Sequence, residues 1–489
     1  MTTVLHDLLD QAAARDPDAP AVSGNGVSYT YGQLRSRSFA VAAALIRRGL
    51  RRGDRVVAVT PNDPRLAALV FGASRAGTPV SVVHEETGAR TLDHILGDCE
   101  PGLLVSPATL GTDVPVVPLE ELVEESDVDV ELTAPLEIDP ALLIYTSGTT
   151  AMPKAVVSTH AQVVFAAKAI QSRLNYRADD VVYCPLPLSF DYGLYQLFLG
   201  ALSGASVVLG AAAEAGPGLL PNLRRAGATV LPAVPPVAAA LLRLLRRDPL
   251  DTPPLRLMTN TGAAMSREVL AGLRDLLPDL RVQLMFGLTE CKRVSIMAPD
   301  EDLRRPDAVG TPLPGTEVFA VDEEGERLPD GEVGELVVRG PHVMAGYWRR
   351  PELNAQRFPR SEGLFPALRS GDHGWVDADG YLHFLGRRDD IYKQQGFRVS
   401  AIEVEAAARR IGGVDAAAVL PPSPDREHAV LFVTGTVADA GQVLRLLAHE
   451  VEKFKVPAKC VLVERLPVNA NGKTDKKALS AALKEGVDA

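Results

Sequence analysis

Hydrophobic and polar positions alternate between a helical and a strand period along most of this chain. Val4, Leu8 and Leu9 mark one face of a helix over 4–14. A strand over 27–31 runs into a helix over 31–49, whose apolar positions Leu34, Phe39, Val41, Ala42, Leu45 and Ile46 end at Gly49. Strands over 55–59 and 80–83 flank a helix over 64–76, and strand patterns return at 103–105 and 116–117. The acidic stretch 120–139 reads as a connecting loop. Strands then recur over 141–145, 181–184, 205–209, 229–231, 255–258 and 282–285, with helices over 162–173 and 194–202. This alternation predicts an α/β domain on a largely parallel sheet.

From Gly315 the texture changes. Strands over 318–321, 334–339 and 381–384 are separated by Asp322–Gly325, Asp330-Gly331 and Asp379-Gly380, which predicts a smaller β-rich subdomain. A charged break follows at Gly386–Asp390. Beyond it the pattern predicts a small α+β domain: helix 401–411, strands 416–420 and 429–433, helix 440–454, strand 459–463.

Size and composition narrow the class. A chain of 489 residues exceeds the single-domain ceiling of roughly 250–300, so two or more domains are expected. A net charge of −11 without a Lys/Arg run argues against nucleic acid as the main partner. Cys99, Cys184, Cys291 and Cys460 lie too far apart for a zinc knuckle or a disulfide framework, and no His-Glu-x-x-His occurs. No apolar run approaches 18 residues, so no membrane span is expected. Residues 1–15 carry Asp7 and Asp10 and do not read as a leader; the expected compartment is the cytoplasm.

The candidate chemistry begins with Leu142–Lys154, where the apolar run opens into Thr146-Ser-Gly-Thr-Thr150 and reaches Pro153-Lys154. Backbone N–H groups, hydroxyls and a lysine in such a loop can wrap a phosphate. The second glycine of a Walker loop is missing, and a polar surface turn is the alternative reading. Phe286-Gly-Leu-Thr-Glu290 offers an aromatic face, a hydroxyl donor and a hard oxygen ligand suited to Mg²⁺; a glutamate at a helix start is the alternative. Asn260-Thr-Gly-Ala-Ala264 is small enough for a flat ring to lie against backbone. Asp372, in Ser370-Gly-Asp-His-Gly-Trp375, can accept from two ribose hydroxyls or form an Asx turn. Asn471-Gly-Lys473 presents a lysine on a tight turn.

These motifs, in this order, resemble the adenylate-forming superfamily: acyl- and aryl-CoA synthetases, nonribosomal peptide synthetase adenylation domains and luciferases. The resemblance starts at Ser28–Leu34 and Arg52–Val56. It runs through Tyr145–Lys154, Phe286–Glu290, Gly334-Glu-Leu336, Gly346-Tyr-Trp348, Ser370–Asp372, Gly386–Asp389 and Gly396-Phe-Arg398, and ends at Asn471–Lys473. It implies two parallel-type sheets and a small β-subdomain in a core over 1–387 (β-rich over 315–387), with a mobile lid over 388–489. It implies that Thr146, Ser147, Gly148, Thr149, Thr150 and Lys154 form the phosphate loop. Gly262, Ala263, Ala264, Phe286 and Gly287 match the adenine pocket, and Thr289 a phosphate contact. Glu290 matches the Mg²⁺ ligand, Asp372 and Arg387 the ribose contacts, Asp389 the hinge and Lys473 the catalytic lysine. Two positions depart from the family pattern: Ala151 stands where Gly is usual, and Phe286 where Tyr is usual.

The implied reaction joins ATP and a carboxylic acid into an acyl-adenylate, with pyrophosphate leaving. A thiol, of coenzyme A or of a phosphopantetheinyl carrier protein, then takes the acyl group. Sixteen residues follow Lys473, so a carrier is expected to act in trans. Asp191 matches the aspartate that pairs with a substrate ammonium in amino-acid-activating members; capping the helix that follows is the alternative. Tyr192, Tyr195, Thr259, Thr261, Met285, Arg293 and Val294 are expected to line the acid pocket. Arg293 is unusual there: it can bind a second substrate carboxylate, pair with Asp191, or face solvent from a helix. Three functions follow. The first is an enzyme loading an amino or small polar acid onto a carrier protein, the second is an aryl or acyl-CoA ligase, and the third is a non-catalytic binding protein.

Overall fold

The computed structural model describes residues 3–484, apart from 108–110, 125–129, 147–151, 212–213, 215, 361–365, 388–390, 395–396, 424–425, 427, 438, 452 and 469–473; for 387, 391, 393, 394, 397, 398, 454 and 484 it describes the backbone alone. The chain divides into two compact units, Met1–Val318 with Val337–Arg369, and Phe319–Leu336 with Ser370–Ala489.

Two large sheets build the first unit. One has nine strands, in the order Thr311–Pro312, Ser295–Ile296, Arg281–Phe286, Leu257–Asn260, Val230–Ala233, Val181–Cys184, Ser206–Leu209, Pro20–Gly24, Val27–Thr30. Its middle is parallel, and both ends turn antiparallel. The other has seven strands, in the order Gly346–Tyr347, Lys154–Thr159, Pro140–Thr146, Val80–Val83, Val56–Val59, Leu103–Val105, Val116–Val117. The expected pair of parallel-type sheets is present, and the whole is a mixed α/β fold.

One hydrophobic cluster takes residues from both sheets and from the helices Tyr31–Arg47, Pro64–Ala76, His160–Leu174 and Asp191–Ser203. Asp191–Ser203 buries eleven of its thirteen residues, so it is apolar nearly all round, as a helix enclosed by neighbours must be. Each fully buried Leu, Val or Phe there contributes about 1.5–3 kcal/mol. Local signals set the helix ends: Asp63 accepts from the Arg65 N–H, Pro64 occupies the first turn, and Gly77 closes the helix at φ 69°.

A four-stranded sheet, Glu317–Val321, Gly334–Arg339, Leu368–Val376, Leu382–Arg387, has most of its residues in the second unit. A hairpin, Ile391–Gln394 with Phe397–Ser400, follows. Last comes a three-stranded sheet, Val414–Leu420, Val430–Gly435, Lys459–Leu462, on which Ala401–Ala408 and Ala440–Glu450 share one core.

Several expectations are corrected. The acidic stretch does not begin as a loop, because Leu119–Glu124 is a helix that buries Leu119, Leu122 and Val123. Asp372 is not in a turn: it lies inside the strand Leu368–Val376. Glu290 does not start a helix, since Arg281–Phe286 turns back through 287–294 into the antiparallel strand Ser295–Ile296. Asp191 does not cap its helix; Phe190 holds that position, without a side-chain hydrogen bond. The sequence pattern also missed the helices Ala89–Cys99 and Lys476–Lys484 and the strand Pro20–Gly24.

Candidate active site

The first unit gathers its candidate residues at the carboxyl ends of parallel strands, where α/β sheets bind ligands. Thr259 lies at the end of the strand Leu257–Asn260, followed by Thr261 and Gly262, while Met285 and Phe286 end the neighbouring strand Arg281–Phe286. Asp191 follows Val181–Cys184 through a short loop. That loop packs tightly on its helix, for a Cβ on Gly193 would meet the Pro187 carbonyl oxygen at 2.4 Å. Gly262 has φ +90°, a conformation that favours glycine, and Phe286 is half-buried at its strand end. Ala263 and Ala264 are exposed.

Glu290 is placed by two separate segments. The backbone turn 287–292 is closed enough that a Cβ on Gly287 would lie 2.2 Å from the Lys292 carbonyl oxygen, and Lys292 itself sits at φ 65°. Gly346–Tyr347 pairs with Lys154–Thr159, and the Met344 N–H donates to the Glu290 carbonyl at 2.9 Å. Tyr347 then donates its hydroxyl to Glu290 Oε1 at 2.6 Å. Lys154 lies over the face of that ring, its Nζ 3.9 Å from the centroid. Lys154, at the end of the candidate phosphate loop, and the candidate metal ligand thus both contact one tyrosine. Among the described residues no hydrogen bond engages Glu290 Oε2, so a hard carboxylate oxygen is open to a magnesium ion. Tyr347 belongs to the motif Gly346-Tyr-Trp348, but its position in the sequence carries no sign of this contact.

The acid-pocket candidates converge as well. Tyr192 and Thr259 share a 2.6 Å hydroxyl–hydroxyl hydrogen bond. Arg293 Nη1 stands 3.6 Å from Asp191 Oδ2, with both side chains 5% exposed, and its guanidinium lies 4.8 Å over the Tyr192 ring. The solvent-facing reading of Arg293 is therefore corrected: the residue leaves the turn inward. Lys292 is a residue that the sequence pattern did not single out. It is buried, donates from Nζ to the Thr289 carbonyl at 2.9 Å and approaches the Tyr195 ring at 5.8 Å. Burial pushes its ammonium down to about 8, against the pull of Asp191 and Glu290. Thr261 and Val294 are buried near these groups in sequence, and Met285 is buried at its strand end. The cavity of about 520 Å³ lined by Asp93, Leu96, Gly111, Thr112 and Asp113 contains none of these residues.

In the second unit, Asp372 and Arg387 are directly opposed across the antiparallel pair Leu368–Val376 and Leu382–Arg387. Asp372 is buried, and its N–H donates to Ser370 Oγ at 3.1 Å. Two residues 15 positions apart are therefore ladder neighbours on one face. Ser147, Gly148, Thr149, Thr150, Ala151, Asp389 and Lys473 lie outside the described residues, as does the Arg387 side chain.

A fold of this kind with these motifs defines a class, and comparison identifies it. Residues 9–348 match the model of the AMP-binding enzyme family, which is most of the chain, and the chain belongs to that family. Tyrocidine synthase 3 of Brevibacillus parabrevis is 29% identical over 97% of this chain, which spans 8% of that protein's length. Feruloyl-CoA synthase of an Amycolatopsis species is 29% identical over 94% of this chain and 95% of its own. The L-aspartate complex of VinN superposes with a TM-score of 0.72 at 38% identity, over 78% of this chain and 98% of VinN. O-succinylbenzoate coenzyme A synthetase (MenE) from Bacillus subtilis, solved with ATP and magnesium ion, does so with 0.85 at 25%, over 97% of this chain and 99% of its own. Nonribosomal peptide synthetases and coenzyme A ligases thus both stand among the relatives. Among the described residues no helix is long and apolar enough to cross a membrane.

Proposed function

We propose that this chain activates a small, amine-bearing carboxylic acid as its acyl-adenylate and passes the acyl group to the phosphopantetheine thiol of a carrier protein. The observation that carries the reading is the grouping of Lys154 and Tyr347 around Glu290, whose turn also brings Arg293 to Asp191. The substrate carboxylate attacks the α-phosphorus of ATP, and the bond to pyrophosphate breaks. Two anions must approach, so cationic and hydrogen-bonding groups fixed in advance lower the barrier. Lys154 and the loop 146–150 bind the phosphates, Thr289 donates to a phosphoryl oxygen, and Lys473 neutralises charge as it develops. A magnesium ion held by Glu290 would supply charge compensation on the phosphates. Gly262–Ala264, Phe286 and Gly287 hold the base, and Asp372 with Arg387 the ribose. The core over 1–387 and the lid over 388–489 move about Asp389 between the two half-reactions.

Asp191 takes the ammonium, inside walls made by Tyr192, Tyr195, Thr259, Thr261, Met285 and Val294. An amine-bearing acid bound to VinN supports this reading. Free coenzyme A is the second reading for the acceptor, favoured by a CoA synthase among the relatives that this chain covers nearly in full. Pyrophosphate release over a panel of acids, with Lys473→Ala as control, tests the first half-reaction. Release only with amine-free acids overturns the amine assignment, and no release with any acid favours a binding protein. Comparison of coenzyme A with a holo-carrier decides the acceptor.

A further inference from the structure

The acid pocket holds two adjacent cations, Lys292 and Arg293, with more hydrogen-bond donors than the acceptors around them take up. Asp191 is the carboxylate that faces Arg293, but at 3.6 Å the pair is outside the 2.7–2.9 Å of a charge-assisted hydrogen bond. Arg293 Nη1 donates instead to the Lys292 carbonyl at 2.7 Å, and among the described residues its buried Nε has no partner. The Nε edge of the guanidinium is therefore unspent. Lys292, 1% exposed, has three donors, and among the described residues the Thr289 carbonyl is the one acceptor it reaches. The hydroxyl of Tyr195, whose ring lies against Lys292, is likewise buried without a hydrogen-bond partner among them. Among the described residues Glu290 makes no hydrogen bond to either cation; the one its carboxylate has comes from Tyr347.

Buried charges persist when paired, and buried donors when satisfied. Unspent donors on two adjacent cations and on a neighbouring hydroxyl, with Asp191 beside Arg293, are what an anion would satisfy.

We propose that Lys292 and Arg293 bind a second carboxylate, and that the acid activated is an amino dicarboxylic acid of about the size of aspartate. The inference rests on the amine reading for Asp191 and deepens it. The substrate's ammonium takes Asp191, and its second carboxylate takes the Arg293 Nε edge and an N–H donor of Lys292. The third charged group, the reacting carboxylate, then points away toward the nucleotide. The two cations discriminate against asparagine or alanine because a neutral group leaves them unpaired.

The test is the steady-state rate of pyrophosphate release with aspartate, asparagine, alanine and succinate, for the full chain and for Lys292→Met and Lys292→Arg. The expected result is preference for aspartate, with its KM raised about tenfold or more by Lys292→Met and largely restored by Lys292→Arg. KM for ATP stays unchanged, and a thermal melt verifies that each variant is folded. Equal use of alanine, asparagine and aspartate overturns the second-carboxylate site while leaving the amine reading intact. Succinate used as well as aspartate keeps the site and removes the amine reading. A rise in the KM for ATP rather than for aspartate reassigns Lys292 to the phosphates and overturns the proposal.

Discussion

Arg293 and Asp191 face one another at 3.6 Å, both buried, from a hairpin turn and from the first turn of a helix about a hundred positions earlier. Asp191→Asn leaves the guanidinium without its counter-charge. The expected cost is about 3 kcal/mol of stability, measured by denaturant unfolding. Turnover with amine-bearing acids is expected to fall about 100-fold in kcat/KM, against less than about tenfold for amine-free acids. An equal loss for both classes would mean that Asp191 supports the fold and not the amine.

Tyr347 fixes the carboxylate of Glu290 through a single 2.6 Å hydrogen bond. Tyr347→Phe keeps the ring under Lys154 and removes the hydroxyl. Partners that orient a ligating group typically change metal affinity by about 10–100-fold, so the magnesium concentration for half-maximal rate is expected to rise by about that factor. A magnesium titration checks this. An unchanged midpoint with a lowered plateau would show that Glu290 is not the ligand.

Gly287→Ala is the strongest single test of the turn that carries both sites. Its Cβ would lie 2.2 Å from a backbone oxygen, which no side-chain rotation relieves. A loss of about 2–4 kcal/mol is expected in a denaturant melt, with adenylation falling at the same time. Retention of full activity would show that the turn opens readily in solution.

His342 supplies a pH dependence. It is 0% exposed, and burial pushes its imidazole down to about 4 from the ordinary 6.5. Between these values the unfolded chain binds the proton that the folded one refuses, so stability is full above pH 6.5 and falls as pH drops toward 4. From pH 7 to pH 5 this one residue is expected to remove about 2 kcal/mol. Unfolding of the parent and of His342→Leu at the two pH values checks it: the variant's drop is smaller by that amount. Equal drops would place the acid sensitivity elsewhere, with His6 and His160, also pushed down to about 4, next in line.

What the sequence determined by itself is largely what local chemistry encodes. The helix Pro64–Ala76 and the strands Val80–Val83, Val181–Cys184 and Gly334–Arg339 follow from periodicity, caps and turn residues near in the chain. The ordered motifs likewise declare the family, because each is a short run of particular residue types. Pairing across distance is decided elsewhere. Asp372 reads as a turn residue because Gly371 and Gly374 flank it; pairing between Gly334–Arg339 and Leu382–Arg387 turns that glycine-rich run into a strand and sets Asp372 opposite Arg387. Local chemistry allows a helix to start at Glu290, and the sheet overrides it, since Ser295–Ile296 gains hydrogen bonds from both Arg281–Phe286 and Thr311–Pro312. That choice points Lys292 and Arg293 inward. Two basic residues on a surface helix would be solvated and unremarked; the same two on a buried turn become the charge that the pocket must answer.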